Sequence, residues 1–126
     1  MPCYNEAAVI RHTIEKLLQK RYSVVVVDDA SADHTRDALA GLPVYYLRHE
    51  SNLGQGAAIR TGIELALEKG AAYVVSFDAD GQHHEDDIEK MIGSLESNDA
   101  DIVFGSRFLT GAETNAPFFR RMILKT

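Results

Sequence analysis

The stretch Ser23-Val24-Val25-Val26-Val27-Asp28-Asp29 places a run of valines directly before two carboxylates. Consecutive β-branched residues favour a strand, because a branched Cβ packs well on a pleated surface and crowds a helix. An apolar run without polar alternation is typical of a buried strand. The stretch therefore predicts a buried strand that ends at Asp28 and Asp29.

Segments with helical periodicity alternate with further short apolar runs on both sides of this strand. The predicted helices cover residues 5–20, 35–39, 54–69, 85–95 and 118–124. The predicted strands cover residues 23–27, 44–47, 73–77 and 102–104. Asn5 is expected to cap the first helix, and Gly70 to end the helix over residues 54–69 in a left-handed conformation. Alternating strands and helices predict an α/β fold with a mostly parallel sheet.

The whole chain has the size and composition of one globular domain. Its 126 residues are 45% hydrophobic and 25% charged, which predicts a single domain over residues 1–126. A net charge of −6 argues against a nucleic-acid partner. The sequence contains neither a signal pattern nor an apolar run long enough to span a bilayer, and the lone Cys3 fits a reducing compartment. We therefore expect a cytoplasmic protein without a transmembrane segment.

The segment Phe77-Asp78-Ala79-Asp80-Gly81 spaces two acids by one residue after an apolar run. In an extended segment Asp78 and Asp80 project to the same side, so both can reach one ion. Mg²⁺ takes one or two protein carboxylates and leaves its other positions for phosphate oxygens and water. The pair predicts a divalent-metal site that binds a diphosphate. The alternative is that both acids only end a strand and cap the following helix.

Asp28 and Asp29 lie at the other strand end that is rich in carboxylates. Ligands of open α/β sheets bind at the carboxyl ends of the strands, so both acids are candidate site residues. A carboxylate there can accept hydrogen bonds from ribose hydroxyls or from a base N–H. The alternative for both acids is a role in the turn into the next helix.

Three further features suggest ligand contacts less specifically. The glycines of residues 52–58 open a helix and allow close backbone approach, although packing of small residues explains this segment better when it is taken by itself. Arg107 follows the predicted strand 102–104 and suits forked contact with phosphate, although surface arginines are common. His83 and His84 lack metal-ligand spacing and are expected in a loop near the site.

Five segments follow one another in the order of a known family's motifs. They are Pro2-Cys3-Tyr4-Asn5-Glu6, Val26-Val27-Asp28-Asp29-Ala30-Ser31-Ala32-Asp33-His34-Thr35, Asn52-Leu53-Gly54-Gln55-Gly56-Ala57-Ala58-Ile59-Arg60-Thr61-Gly62, Asp78-Ala79-Asp80-Gly81-Gln82-His83 and Asp101-Ile102-Val103-Phe104-Gly105-Ser106-Arg107-Phe108. Together they resemble the family 2 glycosyltransferases, and among these the polyprenyl-phosphate sugar synthases of the dolichol-phosphate mannose synthase type. The resemblance implies a GT-A fold, a three-layer α/β/α sandwich, truncated here at both ends.

The resemblance also implies roles for individual residues. The nucleotide or donor would contact Pro2, Tyr4, Glu6, Asp28, Asp29, Gly56, Arg60, Asp78 and Gln82. The metal, Mg²⁺ or Mn²⁺, would be held by Asp78, Asp80 and Gln82. Asp78, Asp80 and Arg107 would be catalytic, and Arg107, Arg120 and Arg121 would meet the acceptor phosphate.

The implied activity is inverting transfer of a sugar from a GDP- or UDP-sugar to an acceptor, best matched by a polyprenyl phosphate at the cytoplasmic membrane face. A homo-oligomer is compatible with this activity. The sequence departs from the family pattern at three points. Only Met1 precedes Pro2, so the first strand is expected to be absent; Gln55 stands where a lysine is common; and Ala30 replaces a glycine.

Other functions share single motifs with this chain. Residues 77–81 resemble the first motif of haloacid dehalogenase-type phosphatases, with Asp78 as nucleophile, but Gln82 stands where those enzymes have a threonine. A receiver-like domain would use Asp28 and Asp29 as an acidic pair and Asp78 as phosphoacceptor. A non-catalytic nucleotide-binding fragment is the remaining alternative.

Overall fold

The computed structural model describes residues 1–105, which form seven secondary-structure elements. In chain order these are β1 (Pro2–Cys3), α1 (Ile10–Gln19), β2 (Val25–Asp28), α2 (Thr35–Ala38), β3 (Tyr45–Arg48), α3 (Gln55–Glu68) and α4 (Asp86–Ser97). The alternation of strands and helices confirms the predicted α/β class. The predicted helix at residues 118–124 lies outside the described residues.

The three strands form one parallel sheet in the order β1-β2-β3. Cys3 pairs with Asp28 in β1 and β2, and Asp28 pairs with Arg48 in β2 and β3. The carboxyl ends of all three strands therefore meet at the same edge of the sheet, at the level of Asp28. This edge is where side chains from distant parts of the sequence come together.

Helix α3 packs closely on the sheet through small residues. A Cβ added to Gly62 would lie 3.4 Å from a methyl group of Val27, so the glycine allows the helix backbone to approach β2. Ala58, one turn earlier, is buried as well. Gly70 ends the helix with a φ of 80°, which confirms the left-handed cap expected at this glycine.

The buried core is built around α1 and β2. Ile10, Ile14 and Leu17 of α1 are buried together with Val26 and Val27 of β2. The spacing of the three α1 residues matches one face of a helix, as the sequence pattern predicted.

The role predicted for Asn5 was wrong, because Asn5 does not cap α1. It adopts a left-handed conformation with a φ of 57°, and its amide oxygen accepts the backbone N–H groups of Ala32 and Asp33. Helix α1 begins five residues later, without a side-chain cap.

Three predictions about strands were also wrong. Pro2–Cys3 is a strand where none was expected, because hydrogen bonds of the backbone from Met1 onward are enough to pair it with β2. Residues 73–77 and 102–104, predicted as strands, form none within the described part of the chain. A strand exists only where a neighbouring backbone pairs with it, and β1 offers a free edge of only two residues.

By its contacts the chain divides into a compact unit over Met1–Ile88 and a second unit that begins at Glu89. Helix α4 starts in the first and continues into the second. Every residue of the candidate site described below belongs to the first unit. The single domain predicted from the sequence stays a prediction.

Candidate active site

Two loops near the sheet edge are joined by reciprocal hydrogen bonds, and we call residues 5–7 with residues 31–35 the loop clasp. The backbone N–H groups of residues 5, 6 and 7 donate to the side chains of Ser31, Thr35 and Asp33 at 2.9, 3.0 and 3.1 Å. In return, the Asn5 side chain accepts two N–H groups of the second loop. These bonds fix the backbone that presents Tyr4 and Glu6.

Asp28 is fully buried and holds the sheet edge together. Its carboxylate accepts the Ser31 backbone N–H at 2.7 Å, the Tyr46 hydroxyl at 2.7 Å and an Arg48 guanidinium N–H at 2.8 Å. Burial would by itself raise the pKa of Asp28, but the hydrogen bonds from Ser31 and Tyr46 and the charge of Arg48 hold it below its usual value. Asp28 is therefore an ionised structural carboxylate.

Asp29 is also buried, but its carboxylate faces the loop before α3. It accepts the His49 Nδ1–H at 2.7 Å and the backbone N–H groups of Leu53 and Gly54 at 2.9 and 2.7 Å. Burial alone would raise the pKa of Asp29, whereas these hydrogen bonds lower it and keep the group ionised. The backbone N–H of Asp29 donates to Cys3 at 2.9 Å, so this residue also contacts β1.

Asp78 is held by one side chain on each of its two oxygens. Gln55, the first residue of α3, donates to Oδ1 at 3.2 Å, and His83 Nε2 lies 3.1 Å from Oδ2. The His83 ring is also 5.4 Å from the ring of Phe77, which is buried. The prediction that a histidine of this pair lies near the site agrees with this geometry.

Asp80 is exposed and follows the buried Ala79. Its Oδ1 accepts the backbone N–H of Gln82 at 2.9 Å, which closes a short turn around Gly81. Gly81 has a φ of 75°, a conformation that favours glycine. Thr13 of α1 donates to the carbonyl of Ala79 at 3.4 Å, so this helix contacts the backbone just before the turn.

These segments surround one cleft of about 430 Å³. The cleft is lined by Pro2, Cys3, Tyr4, Glu6, Asp29, Asn52, Gly54, Gln55, Ala58, Asp78, Ala79 and Asp80. This volume falls within the range of pockets that bind small molecules and cofactors. Segments separated by more than seventy residues in sequence, about residues 2–6 and 78–80, therefore meet at one site.

Negative charge is concentrated in this cleft. The carboxylates of Glu6, Asp29, Asp78 and Asp80 all line it. Burial raises the pKa of Glu6, and the nearby charges of Asp80 and Asp33 raise it further. An acidic wall of this kind favours a cation in the cleft. The thiol of Cys3 is no nucleophile here, because burial and the charge of Asp28 raise its pKa to about 12.

The donor set at Asp78 and Asp80 suits a hard divalent cation. Among residues 1–105, no group of three or more His, Cys, Asp or Glu side chains converges as a complete ligand set. Two carboxylates are nevertheless what Mg²⁺ typically takes from a protein when phosphate and water complete its coordination. The residues present therefore fit a metal that arrives with a phosphorylated ligand.

The structure separates the predicted site residues into two groups. Six of them line the cleft: Pro2, Tyr4, Glu6, Asp29, Asp78 and Asp80. Four do not line it: Asp28, Gly56, Arg60 and Gln82. Asp28 is occupied by protein donors, and the exposed Arg60 pairs with Glu64 at 2.8 Å. Arg107, Arg120 and Arg121 lie outside the described residues.

Several residues at this site were not predicted from the sequence. Asn52 lines the cleft, and Gln55 contacts Asp78 although it was noted only as a replacement for lysine. His49 was not singled out at all, yet it holds Asp29. No signal in the sequence marked His49, because the pairing of β2 with β3 that brings it next to Asp29 is seen only in the structure.

Comparison with known proteins gives a match over almost the whole chain. The model of the family described as glycosyl transferase family 2 matches residues 1–124. Two similar proteins of Methanocaldococcus jannaschii are both described as uncharacterized. MJ1222 is 37% identical over 124 residues, which are 97% of this chain and 51% of that protein. MJ0544 is 37% identical over 114 residues, or 85% of this chain and 50% of that protein.

The chain thus spans about half the length of these two relatives. The family match favours the transferase hypothesis over the phosphatase and receiver alternatives, which rested on single motifs. Among the helices of residues 1–105, none is long and apolar enough to cross a bilayer.

Proposed function

Because the chain belongs to glycosyl transferase family 2, we propose that its cleft binds a nucleotide diphosphate sugar together with Mg²⁺ or Mn²⁺ for transfer of the sugar. The family has the GT-A fold, and the parallel sheet with its helices agrees with that fold. The observation that best supports the donor site is the meeting of residues 2–6 with Asp78 and Asp80 in one cleft.

The nucleoside half of the proposed site lies beside the loop clasp, at Tyr4 and Asp29. Tyr4 is 49% exposed at the cleft, so its ring is available to stack on a base. Asp29 Oδ1 already accepts two protein hydrogen bonds, whereas Oδ2 accepts one, from Gly54. A carboxylate oxygen accepts about two, so Oδ2 has room for one ribose hydroxyl or base N–H.

The diphosphate half lies at Asp78 and Asp80, which would hold the metal, with Gln82 at the turn that follows Asp80. When bound, the metal would neutralise the charge that develops on the leaving diphosphate. The acceptor oxygen attacks the anomeric carbon as the bond from that carbon to the diphosphate oxygen breaks, which inverts the configuration. An anionic phosphate acceptor needs no general base for this attack.

The acceptor in this proposal is a polyprenyl phosphate, and the donor is a GDP- or UDP-sugar. This choice rests on the likeness of the five motifs to the polyprenyl-phosphate sugar synthases. Arg107, Arg120 and Arg121 are proposed to bind the acceptor phosphate, with the protein peripheral to the cytoplasmic membrane face.

A thermal-shift experiment tests the donor site without requiring turnover. The melting temperature of the 126-residue chain is measured with UDP, GDP and their sugars, with and without MnCl₂ or MgCl₂. Ligand that binds only the folded state raises the melting temperature by mass action. We expect the nucleotides of one base, uracil or guanine, to raise the melting temperature, and only when a divalent ion is present.

Asp80→Asn and Asp37→Asn form a matched pair for this experiment. Both remove one exposed acid, but Asp37 lies on α2 and pairs with His34 at 3.0 Å, away from the cleft lining. The Asp80 variant should keep its unliganded melting temperature and lose the metal-dependent shift, and the Asp37 variant should keep both. A full metal-dependent shift in the Asp80 variant would count against the proposed site.

A further inference from the structure

His49 does not line the cleft but contacts Asp29, which does. It directly follows β3, and its side chain is only 11% exposed. Both ring nitrogens have partners, with Asp29 Oδ1 2.7 Å from Nδ1 and Thr61 Oγ1 3.0 Å from Nε2. Its backbone N–H donates to the Asp28 carbonyl at 2.9 Å, which extends the pairing of β2 and β3. The ring is thus held from both sides.

A carboxylate, an imidazole and a hydroxyl in this order also occur in nucleophilic triads. That chemistry does not apply here, because neither His49 nor Thr61 lines the cleft. A hydroxyl nucleophile must reach a substrate, and a triad needs donors for the oxyanion beside it. The contacts of His49 therefore suggest a role in positioning.

The protonation pattern of the ring follows from its partners. A carboxylate only accepts hydrogen bonds, so His49 Nδ1 has to bear the proton that it shares with Asp29. In the neutral ring Nε2 then accepts the hydroxyl proton of Thr61. Since Thr61 belongs to α3, the imidazole connects the body of that helix to the Asp29 carboxylate.

The same carboxylate holds the backbone of residues 52–55, which we call the cleft wall. Leu53 N–H and Gly54 N–H donate to Asp29 at 2.9 and 2.7 Å, and these residues lie between Asn52 and Gln55, which line the cleft. Gly54 has a φ of 92°, which glycine adopts freely, so the hydrogen bond to Asp29 helps to fix its orientation. The orientation of Asp29 therefore decides where residues 52–55 lie.

We propose that His49 is a positioning residue for the wall formed by residues 52–55. Its ring, held by Thr61, orients the Asp29 carboxylate, and that carboxylate fixes the wall. Without the imidazole, Asp29 loses its only side-chain donor among the described contacts and the wall loses its fixed acceptor. The effect on nucleotide affinity rests on the proposed function, whereas the effect on the wall itself does not.

Amide hydrogen exchange of the 126-residue chain tests the wall directly. In His49→Leu, which removes both ring contacts at similar volume, the amides of Leu53 and Gly54 should exchange roughly tenfold faster, as expected for weakening one charge-assisted hydrogen bond. The amides of Val26 and Val27 in β2 should keep their rates. His49→Asn places an amide N–H near the position of Nδ1 and should restore most of the protection.

Three results would overturn the proposal. One is unchanged exchange of the Leu53 and Gly54 amides in His49→Leu. The second is equal acceleration in β2, which would mean that His49 only stabilises the whole unit. The third is a Thr61→Val variant, which removes the hydroxyl that holds Nε2, whose Leu53 and Gly54 amides keep the rates of the unsubstituted chain.

The same variants then report on ligand binding. With UDP or GDP and Mn²⁺ as probes, His49→Leu should bind the stabilising nucleotide roughly tenfold more weakly, in proportion to the lost order of the wall, and His49→Asn should recover most of that affinity. If the unsubstituted chain binds neither nucleotide, the proposed function fails, and the exchange rates still decide the role of His49. Unchanged affinity in His49→Leu beside accelerated exchange would overturn the link between wall and ligand.

Discussion

Two adjacent acids show how far residue-level inference from this sequence reaches. The sequence predicted that Asp28 and Asp29 lie at a strand end and left their roles open between turn and ligand. The structure gives Asp28 to the sheet edge and Asp29 to the cleft wall. The distinction could not be predicted, because the deciding partners, Arg48 and His49, lie twenty residues away in β3 and just after it.

The first prediction concerns Ala30, which replaces the glycine common in the family. Ala30 has a φ of 64°, in the left-handed region where a Cβ is crowded by the backbone. Ala30→Gly should therefore raise the free energy of unfolding by about 1 kcal/mol, measured by urea denaturation.

Ala57→Gly is the matched control for this substitution. Ala57 lies within α3, where glycine is a poorer helix former, so the same chemical change should lower the free energy of unfolding by about 1 kcal/mol. If both variants shift stability in the same direction, backbone conformation is not what distinguishes the two sites.

At the level of the elements, helices were predicted better than strands. The periodic segments at residues 54–69 and 85–95 became α3 and α4 with small shifts of their ends. By contrast, the apolar run at residues 73–77 formed no strand, and Pro2–Cys3 formed one without an apolar run. Helical hydrogen bonds are local, whereas a strand requires a partner that its own sequence does not specify.

The second prediction concerns the start of α3. Gly54 caps this helix with a φ of 92° and a ψ of 159°, a region that is essentially restricted to glycine. Gly54→Ala should lower the free energy of unfolding by about 2 kcal/mol and displace the N–H that donates to Asp29. Urea denaturation measures the first effect, and the metal-dependent thermal shift with nucleotide measures the second.

Gly56→Ala, two residues later, should behave oppositely. A Cβ at Gly56 would meet no atom within 4 Å, and alanine is the better helix former by about 1 kcal/mol. This variant should be as stable as the original chain or more so. Destabilisation by both alanines would indicate that the glycines serve close packing, the alternative raised from the sequence.

At the level of the whole molecule, the sequence predicted several residues that line the cleft but not the contacts that hold them in place. Six of the proposed ligand contacts line the cleft, as the order of the motifs along the chain indicated. The loop clasp and the ring of His49 were not foreseen, because they depend on contacts between segments about twenty to thirty residues apart. Their supporting role is visible only in three dimensions.

The third prediction concerns acid denaturation. The pKa values of Asp28, Asp29 and Asp33 all lie below the ordinary 3.8. At Asp28 and Asp29 burial acts to raise the pKa, but hydrogen bonds outweigh it. At Asp33 the hydrogen bond with the Thr35 hydroxyl is the largest cause of the lowered pKa. Their stabilisation is complete above 3.8 and is lost as the pH falls through the lower folded-state values. The urea midpoint should therefore fall steeply below about pH 4.

Two variants separate the contributions to this profile. Asp28→Asn should lower the free energy of unfolding by about 3 kcal/mol near neutral pH, because a buried hydrogen-bonded charge is removed, and should make its fall at acid pH shallower.

Glu6→Gln should instead raise the stability at neutral pH. Burial and then Asp80 raise the pKa of Glu6, so its ionised form opposes folding at neutral pH and the glutamine variant should melt higher there. A lower melting temperature for Glu6→Gln would contradict this sign.

Asp29 touches both sides of the cleft through atoms of a single amino acid. Its backbone N–H donates to Cys3 on one side, and its carboxylate accepts Leu53 and Gly54 on the other. The spacing between the two sides is therefore governed by bond lengths and two side-chain torsions. We expect these two sides to keep their spacing when a nucleotide binds, so rapid-mixing traces of nucleotide uptake should show one exponential whose rate grows linearly with ligand concentration.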